Sequence, residues 1–197
     1  MESAVSKIYE LLDQSPNAAD QFAKERLAEA ESQGERDSIN WARAYALVEL
    51  GQFATAEQIW TEIFERTHDH KALHQIGYVH RKSGQLQTGL ETYLMERALI
   101  PRADTVAIGA NLYELVYCNH LLGNRNEAHK LFQEYEELEF EEQDQVERGC
   151  FFRLKGDINI ESEPAVAREA YLQSLEMFRE ARDPIACSEI EVRLAQF

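Results

Sequence analysis

Apolar side chains recur every three or four residues along most of the chain, which is the spacing of amphipathic helices. The strict alternation of apolar and polar residues that indicates half-buried strands does not occur. Short breaks interrupt the helical pattern, as in WARAYALVELGQFATAEQIW between Trp41 and Trp60, where Gly-Gln-Phe separates two amphipathic runs. We therefore predict an all-α protein of about eleven helices joined by short turns.

Four glycines punctuate this pattern, and each follows an amphipathic segment. Their separations are 33, 39 and 33 residues: Gly51, Gly84, Gly123 and Gly156. A regular interval of this length is typical of helical repeats. Glycine tolerates the left-handed conformation that ends a helix, so we expect each of the four to lie in the turn of a helical hairpin.

Small and aromatic residues keep fixed distances from these glycines. Seven residues before them stand Ala44, Gly77, Val116 and Gly149. Five residues after the first three stand Ala56, Gly89 and Ala128, and four residues further on stand Trp60, Tyr93 and Phe132. In the last unit, the insertion INIESEP delays the same step to Ala167 and Tyr171. Small residues let two helices approach closely, and the aromatic residue then fills the space beside them.

This register resembles the tetratricopeptide repeat (TPR) over four hairpins at 37–181, with a degenerate hairpin at 1–34 and a capping helix at 184–197. The resemblance implies a right-handed α-α superhelix (TPR-like solenoid), with about five hairpins plus the C-terminal cap in one domain, 1–197. The first-helix Trp of the family is replaced by Asn40, Leu73, Leu112 and Gln145. Its first-helix Tyr is replaced by Leu47, His80, Asn119 and Phe152. These departures predict an irregular stack of the longer-repeat type.

The resemblance also implies that the first helices line a concave groove. Residues ten, six and three before each glycine share one helix face, and in the last unit these are Val146, Cys150 and Arg153. The predicted contacts to a protein or peptide ligand are Trp41, Tyr45, His74, Tyr78, Arg81, Lys82, Tyr113, Tyr117, His120 and Arg153. Tyr and Trp offer large contact area at low entropic cost, and the basic groups suit carboxylates. Packing between adjacent first helices accounts for the same aromatic residues, and this alternative stays open.

Catalytic and metal-binding patterns are weak. His70 and His74 have the i, i+4 spacing of two zinc ligands, but polar residues at a helix start explain them equally well. Cys118 and His120 point away from each other on a helix, and no glycine-rich phosphate loop occurs. His80 and Asn119 face into their hairpins, either as hydrogen-bonded core residues or to orient a ligand. We predict no enzymatic activity, no cofactor and no metal.

Charge and composition narrow the classes of partner and compartment. The chain has 36 acidic and 20 basic residues and a net charge of −16, which disfavours nucleic acid and anionic membranes. Its start is unlike a signal peptide, and no apolar run approaches the length of a membrane helix. The few cysteines indicate a reducing compartment, so we expect a cytoplasmic protein. The acidic run 134–147 is either a solvated helix boundary or a docking patch.

These observations favour a non-catalytic module, an adaptor or scaffold that grips a protein segment in its groove. The alternative is a regulatory sensor of a short signalling peptide that acts on a partner protein, and an enzyme is a distant third. A homodimer through the C-terminal helix is a further expectation, with Ile185, Ile190, Leu194 and Phe197 against a second copy. The same residues could equally cap the preceding hairpin.

Overall fold

The computed structural model describes residues 3–138 and 144–197, and within them the chain forms eleven α-helices and no strand. The helices are α1 Ala4–Gln14, α2 Pro16–Glu29, α3 Gln33–Glu49, α4 Phe53–Thr67, α5 His70–Lys82, α6 Leu86–Leu99, α7 Thr105–Leu121, α8 Arg125–Glu136, α9 Gln145–Asn159, α10 Pro164–Glu180 and α11 Pro184–Leu194. They group into two compact units, unit 1 at Met1–Ile100 and unit 2 at Pro101–Phe197. The predicted all-α character and number of helices are confirmed.

Polar caps mark where most helices begin. Seven helices start at a Ser or Asp whose side chain accepts a backbone N–H of the first turn: Ser3, Ser15, Ser32, Asp69, Asp104, Asp144 and Asp183. Pro16, Pro164 and Pro184 occupy first helical positions, where the missing N–H costs no hydrogen bond. The predicted cap at Asp183, followed by Pro184, is confirmed.

Unit 1 contains three helical hairpins, α1/α2, α3/α4 and α5/α6. Both α1 and α2 pack against α3, so the N-terminal hairpin belongs to this unit. One core cluster joins it to α3 around Ile8, Ala23 and Ile39. A second cluster, around the fully buried Trp60, fills the space among α3, α4 and α5.

Unit 2 contains the hairpins α7/α8 and α9/α10 and the single helix α11. Phe132 and Phe151 stack in the core among α7, α8 and α9, with ring centroids 5.1 Å apart. A second cluster, around Tyr171 and Phe178, lies between α10 and α11. Ile190 is fully buried there and Leu194 is partly buried, so this side of α11 caps the preceding hairpin.

Three of the four predicted turn glycines are confirmed. Gly51, Gly84 and Gly123 have φ of 71°, 81° and 77°, the left-handed conformation that side chains with a Cβ rarely adopt. The residue after each glycine donates its N–H back across the turn, as Gln52 does to the Leu47 carbonyl at 2.8 Å. These bonds satisfy carbonyl groups that the end of a helix leaves unpaired.

The prediction for Gly156 is wrong, because this glycine lies inside α9 and the helix continues to Asn159. Gly156 is buried against the ring of Tyr171, just as Gly77 is buried against the ring of Tyr93. It is therefore the small residue at the crossing of the two helices, the place that the sequence assigned to Gly149. The aromatic residues Trp60, Tyr93, Phe132 and Tyr171 follow one another at 33, 39 and 39 residues, without the expected delay.

This correction shifts the repeat register assigned to α9 by seven residues toward the C-terminus, from Gly149 to Gly156. Arg153 lies three residues before the crossing residue Gly156, as Trp41 lies three residues before Ala44 in α3. Asp157 lies one residue after Gly156, as Tyr45 lies one residue after Ala44. Val146 and Cys150 therefore do not belong to the helix face that was predicted to line the groove. Gly149 instead meets the ring of Phe178, a second close approach of α9 and α10.

Candidate peptide-binding faces of the two units

The predicted contact residues divide between the two units. Unit 1 carries Trp41, Tyr45, His74, Tyr78, Arg81 and Lys82, and unit 2 carries Tyr113, Tyr117, His120 and Arg153. All of them lie on the first helices of their hairpins, α3, α5, α7 and α9. The structure places some on a half-exposed aromatic surface and engages others in internal hydrogen bonds.

In unit 1, aromatic rings from α1, α3 and α4 pack against one another. The Trp41 and Tyr45 rings lie 6.2 and 5.2 Å from that of Trp60, at interplanar angles of 76° and 74°. The Tyr45 ring also lies 6.0 Å from that of Tyr9. Trp60 is fully buried, whereas Trp41 and Tyr45 are half-buried and Tyr9 is exposed. The core thus fixes the rings while leaving part of those of Tyr9, Trp41 and Tyr45 accessible.

The phenol groups in this cluster stay protonated at neutral pH. Burial raises the pKa of Tyr45 to about 12; the nearby phenols of Tyr9 and Tyr78 add to the rise, and a hydrogen bond from Trp41 opposes it. Burial also raises the pKa of Tyr9. A neutral phenol can both donate and accept a hydrogen bond, which suits the peptide groups of a ligand.

Two cations lie beside Tyr78, the third tyrosine of this surface. The Arg81 guanidinium carbon and the Lys82 ammonium lie 5.4 and 5.6 Å from the centroid of the Tyr78 ring, within the range of cation–π attraction. The Lys82 side chain is exposed. We call the surface formed by Tyr9, Trp41, Tyr45, Tyr78 and Lys82 the tyrosine face. The sequence pattern missed Tyr9 because the first hairpin has no turn glycine to set its register.

His74, a predicted contact, is turned into its own hairpin. Its Nδ1 lies 3.0 and 3.1 Å from the two carboxylate oxygens of Glu96, a residue only 2% exposed. The Nδ1 of His70 lies 4.0 Å from the same carboxylate. Within the described residues, no group of three or more His, Cys, Asp or Glu side chains is placed to hold a metal ion. His74 therefore joins α5 to α6 through its contact with Glu96.

In unit 2, Tyr113 and Tyr117 stack with ring centroids 6.1 Å apart and planes 6° from parallel. An Arg153 Nη2 hydrogen donates to the Tyr113 hydroxyl at 2.7 Å, and Nη1 donates to Glu189 Oε2 at 3.1 Å. Burial raises the pKa of Tyr113, and the positive charge of Arg153 only partly offsets this effect. Arg153 thus joins α7, α9 and α11. His120 lies half-buried at the end of α7.

The buried polar positions are hydrogen-bonded core residues, as one of the two alternatives predicted. His80 Nδ1 lies 3.2 Å from the Thr92 hydroxyl, and its Nε2 lies 3.2 Å from Glu57 Oε1. Asn119 donates from Nδ2 to the carbonyl four residues earlier at 2.9 Å, and Asn159 does the same at 2.8 Å. Asn159, and not Phe152, is the α9 counterpart of Asn119.

The described residues bear on the other predictions only in part. The acidic run 134–147 includes residues 139–143, which lie outside the described part of the chain; before them, Glu136 accepts from Lys155 at 2.7 Å. In the described part of the chain, Cys118, Cys150 and Cys187 form no disulfide bond. Among the described helices, none combines the length and the apolar character needed to cross a bilayer.

Comparison with known proteins identifies the fold and leaves the family open. No protein-family model matches the chain, and no curated protein matches it in sequence. A solved structure titled "MamA RS-1 ArsTM double mutant" matches with a TM-score of 0.58 and 19% sequence identity, over 93% of this chain and 98% of that chain. MamA is a TPR-like protein. The likeness shows that this chain has the fold of a TPR-like solenoid of helical hairpins.

Proposed function

We propose that this protein is a non-catalytic module that binds a protein segment or peptide, as an adaptor or scaffold does. The TPR-like fold supports this, because helical-hairpin stacks typically present extended binding surfaces and carry no chemistry of their own. The single observation that carries the proposal is the tyrosine face of unit 1. Its rings are held rigidly by the core and yet remain partly accessible, so a ligand can bind without ordering them first.

The chemistry of the tyrosine face suits a segment with apolar and acidic side chains. The phenols offer both apolar area and hydrogen bonds, and Lys82 supplies a positive charge at the edge of Tyr78. The ion pairs found within residues 3–138 and 144–197 do not include Lys82, although the chain has 36 acidic residues. An acidic side chain or a terminal carboxylate of the ligand would meet this charge.

In unit 2 the proposal keeps Tyr117 and His120 as ligand contacts. Tyr113 and Arg153 already bind each other, so a ligand would have to compete with a 2.7 Å hydrogen bond to recruit either one. We therefore place the main ligand contacts in unit 1. A homodimer through the C-terminal helix and a cytoplasmic location stay predictions at this point.

Tryptophan fluorescence can test the proposal directly. Trp41 belongs to the tyrosine face, and the ring of the buried Trp60, the other tryptophan of the chain, lies 6.2 Å from it, so a ligand bound there should change the tryptophan emission. The probe is a peptide selected on the purified protein from a random phage-displayed library. We expect saturable fluorescence changes with the wild type and at least a tenfold weaker affinity in Tyr78→Ala/Lys82→Glu, because about 1.4 kcal/mol or more of contact is lost.

The matched control carries the same change of charge at exposed positions that are not part of the tyrosine face. Leu94→Ala/Arg168→Glu replaces one exposed leucine of α6 and one exposed arginine of α10. We expect it to bind like the wild type, with unchanged helicity by circular dichroism in both double variants. Equal binding by all three proteins would exclude the tyrosine face as the ligand site.

A further inference from the structure

The tyrosine face has more hydrogen-bond donors than acceptors. The hydrogen bonds found within the described residues include none that the hydroxyls of Tyr9, Tyr45 and Tyr78 donate to a protein acceptor. Trp41 donates to the Tyr45 oxygen, so the hydroxyl hydrogen of Tyr45 is left for another acceptor. Beside these two rings, Nε1 of the buried Trp60 meets no acceptor in the described part of the chain.

The other groups of this surface do not restore the balance. An indole and an ammonium group can only donate, so the side chains of Trp41 and Lys82 offer no acceptor. The phenol oxygens remain as acceptors, and that of Tyr45 already accepts from Trp41. The N–H groups of an ordinary peptide that turned toward this surface would therefore lose their water without gaining an acceptor, which opposes binding.

We propose that the tyrosine face binds a proline-rich segment that carries an acidic residue. This inference rests on the proposed function and names the class of segment that binds there. Proline has no backbone N–H, so a run of prolines presents carbonyl acceptors to the hydroxyls and no donor that needs a partner. Its pyrrolidine rings also add apolar area, which packs on aromatic side chains in known modes of peptide recognition.

Both surfaces are ordered before they meet. A proline-rich segment is already extended as a polyproline II helix, so it loses little conformational freedom on binding. On the protein, the rings of Trp41 and Tyr45 are held 6.2 and 5.2 Å from that of Trp60. The exposed ammonium of Lys82, 5.6 Å from the centroid of the Tyr78 ring, places the acidic residue of the segment at this side of the surface.

Two synthetic peptides with blocked ends test the inference by tryptophan fluorescence. The proline peptide has six prolines between two glutamates. The alanine peptide has alanine in place of every proline, which restores the backbone N–H groups at the same charge. We expect the proline peptide to bind at least tenfold more tightly, a difference of about 1.4 kcal/mol. Peptides selected on the protein from the random library should likewise be enriched in proline.

A single hydroxyl tests the role of the donors. Tyr45→Phe keeps the ring and removes the hydroxyl, so it should weaken binding of the proline peptide several-fold. Tyr135→Phe is the matched control, because it removes a hydroxyl from a buried side chain in the core of unit 2. This variant should bind the proline peptide like the wild type, and both variants should keep their helicity by circular dichroism.

The charge of Lys82 is tested by changing both partners. Replacing the glutamates of the proline peptide with glutamine should weaken binding to the wild type. The same replacement should make no difference to Lys82→Gln, because the charge that the glutamates meet is already absent. Equal losses in both proteins would show that the acidic residue does not lie at Lys82.

The outcomes separate this inference from the proposed function. Library peptides that bind the tyrosine face without an excess of proline would overturn the inference and leave the proposed function standing. An alanine peptide that binds as tightly as the proline peptide, or unchanged binding of the proline peptide by Tyr45→Phe, would do the same. If no selected peptide distinguished the wild type from Tyr78→Ala/Lys82→Glu, the proposed function would fail as well.

Discussion

At the scale of single residues, the closest helix crossings depend on glycines that have no room for a methyl group. A Cβ at Gly156 would meet the ring of Tyr171, and that ring cannot move away easily because its hydroxyl donates to Asp157 Oδ1 at 2.8 Å. We expect Gly156→Ala to lower the free energy of unfolding by about 1 to 3 kcal/mol, the usual cost of overpacking a core. Urea denaturation followed by circular dichroism measures this change.

Gly34→Ala is the control for the intrinsic preference of helices for alanine. Gly34 is also helical, as the second residue of α3, but nothing lies within 4 Å of a Cβ built there. This variant should be as stable as the wild type or more stable, by up to about 1 kcal/mol. If Gly156→Ala behaved in the same way, the close contact between α9 and α10 would be wrong.

A buried carboxylate in unit 1 makes the stability depend on pH. Burial alone would raise the pKa of Asp20, but hydrogen bonds from Lys24 and Arg43, together with their charges, outweigh it and lower the pKa below its usual value. Arg43 Nε donates to Asp20 Oδ1 at 2.7 Å, which joins α2 to α3. The ionised form of Asp20 therefore stabilises the folded state.

The sign of the pH effect follows from this lowered pKa. The stabilisation is fully present above the unfolded-state pKa of about 3.9, and it is lost as the pH falls through the lower folded-state value. Asp20→Asn should cost about 1 to 3 kcal/mol of unfolding free energy at pH 7 and progressively less below about pH 4. Urea denaturation of both proteins across this pH range measures the difference. A gap that stayed constant with pH would contradict the role of the charge.

At the scale of helices, Arg153 links three elements of unit 2. It donates to Tyr113 on α7 and to Glu189 on α11, and its guanidinium carbon lies 5.9 Å from the centroid of the Phe178 ring on α10. Arg153→Met keeps the apolar stem but removes these hydrogen bonds. We expect a loss of about 1 to 2 kcal/mol of unfolding free energy, and faster amide hydrogen exchange in α11.

Arg168→Met is the control, because Arg168 is an exposed arginine on α10. It should leave both the stability and the exchange of α11 within error of the wild type. Unchanged exchange of α11 in Arg153→Met would instead mean that the apolar contacts of Ile190 alone hold this helix.

The sequence predicted the hairpins wherever a local conformation required a particular residue. Gly51 was identifiable because a left-handed turn favours glycine, and Asp183 because a helix start favours a side-chain cap. Gly156 was misassigned because glycine also serves at a close helix crossing, and only the position of Tyr171 distinguishes the two uses. The contact of His74 with Glu96 was not predictable for a similar reason, since the two residues lie 22 positions apart on different helices.

At the scale of the whole molecule, the excess of negative charge opposes association between copies. The chain has 36 acidic residues against 20 basic ones, and several of the basic side chains are engaged in ion pairs within their own unit, such as Arg43 with Asp20. In the homodimer predicted through the C-terminal helix, two copies would therefore gain apolar burial against a repulsion that acts over the Debye length. That length is about 30 Å at 0.01 M salt and about 10 Å at 0.1 M.

Salt should consequently strengthen the pairing of two copies. Screening removes the repulsion between net charges of −16, while burial of Ile185 and Val192 is little affected by moderate salt. We expect the dissociation constant from sedimentation equilibrium to fall several-fold between 0.01 M and about 0.3 M NaCl. Ile185→Glu should remain largely monomeric at both salt concentrations, which separates pairing through the C-terminal helix from general salt-induced association. A dimer that weakened with added salt would instead be held by ion pairs between the copies, and the apolar residues of the C-terminal helix would not be its interface.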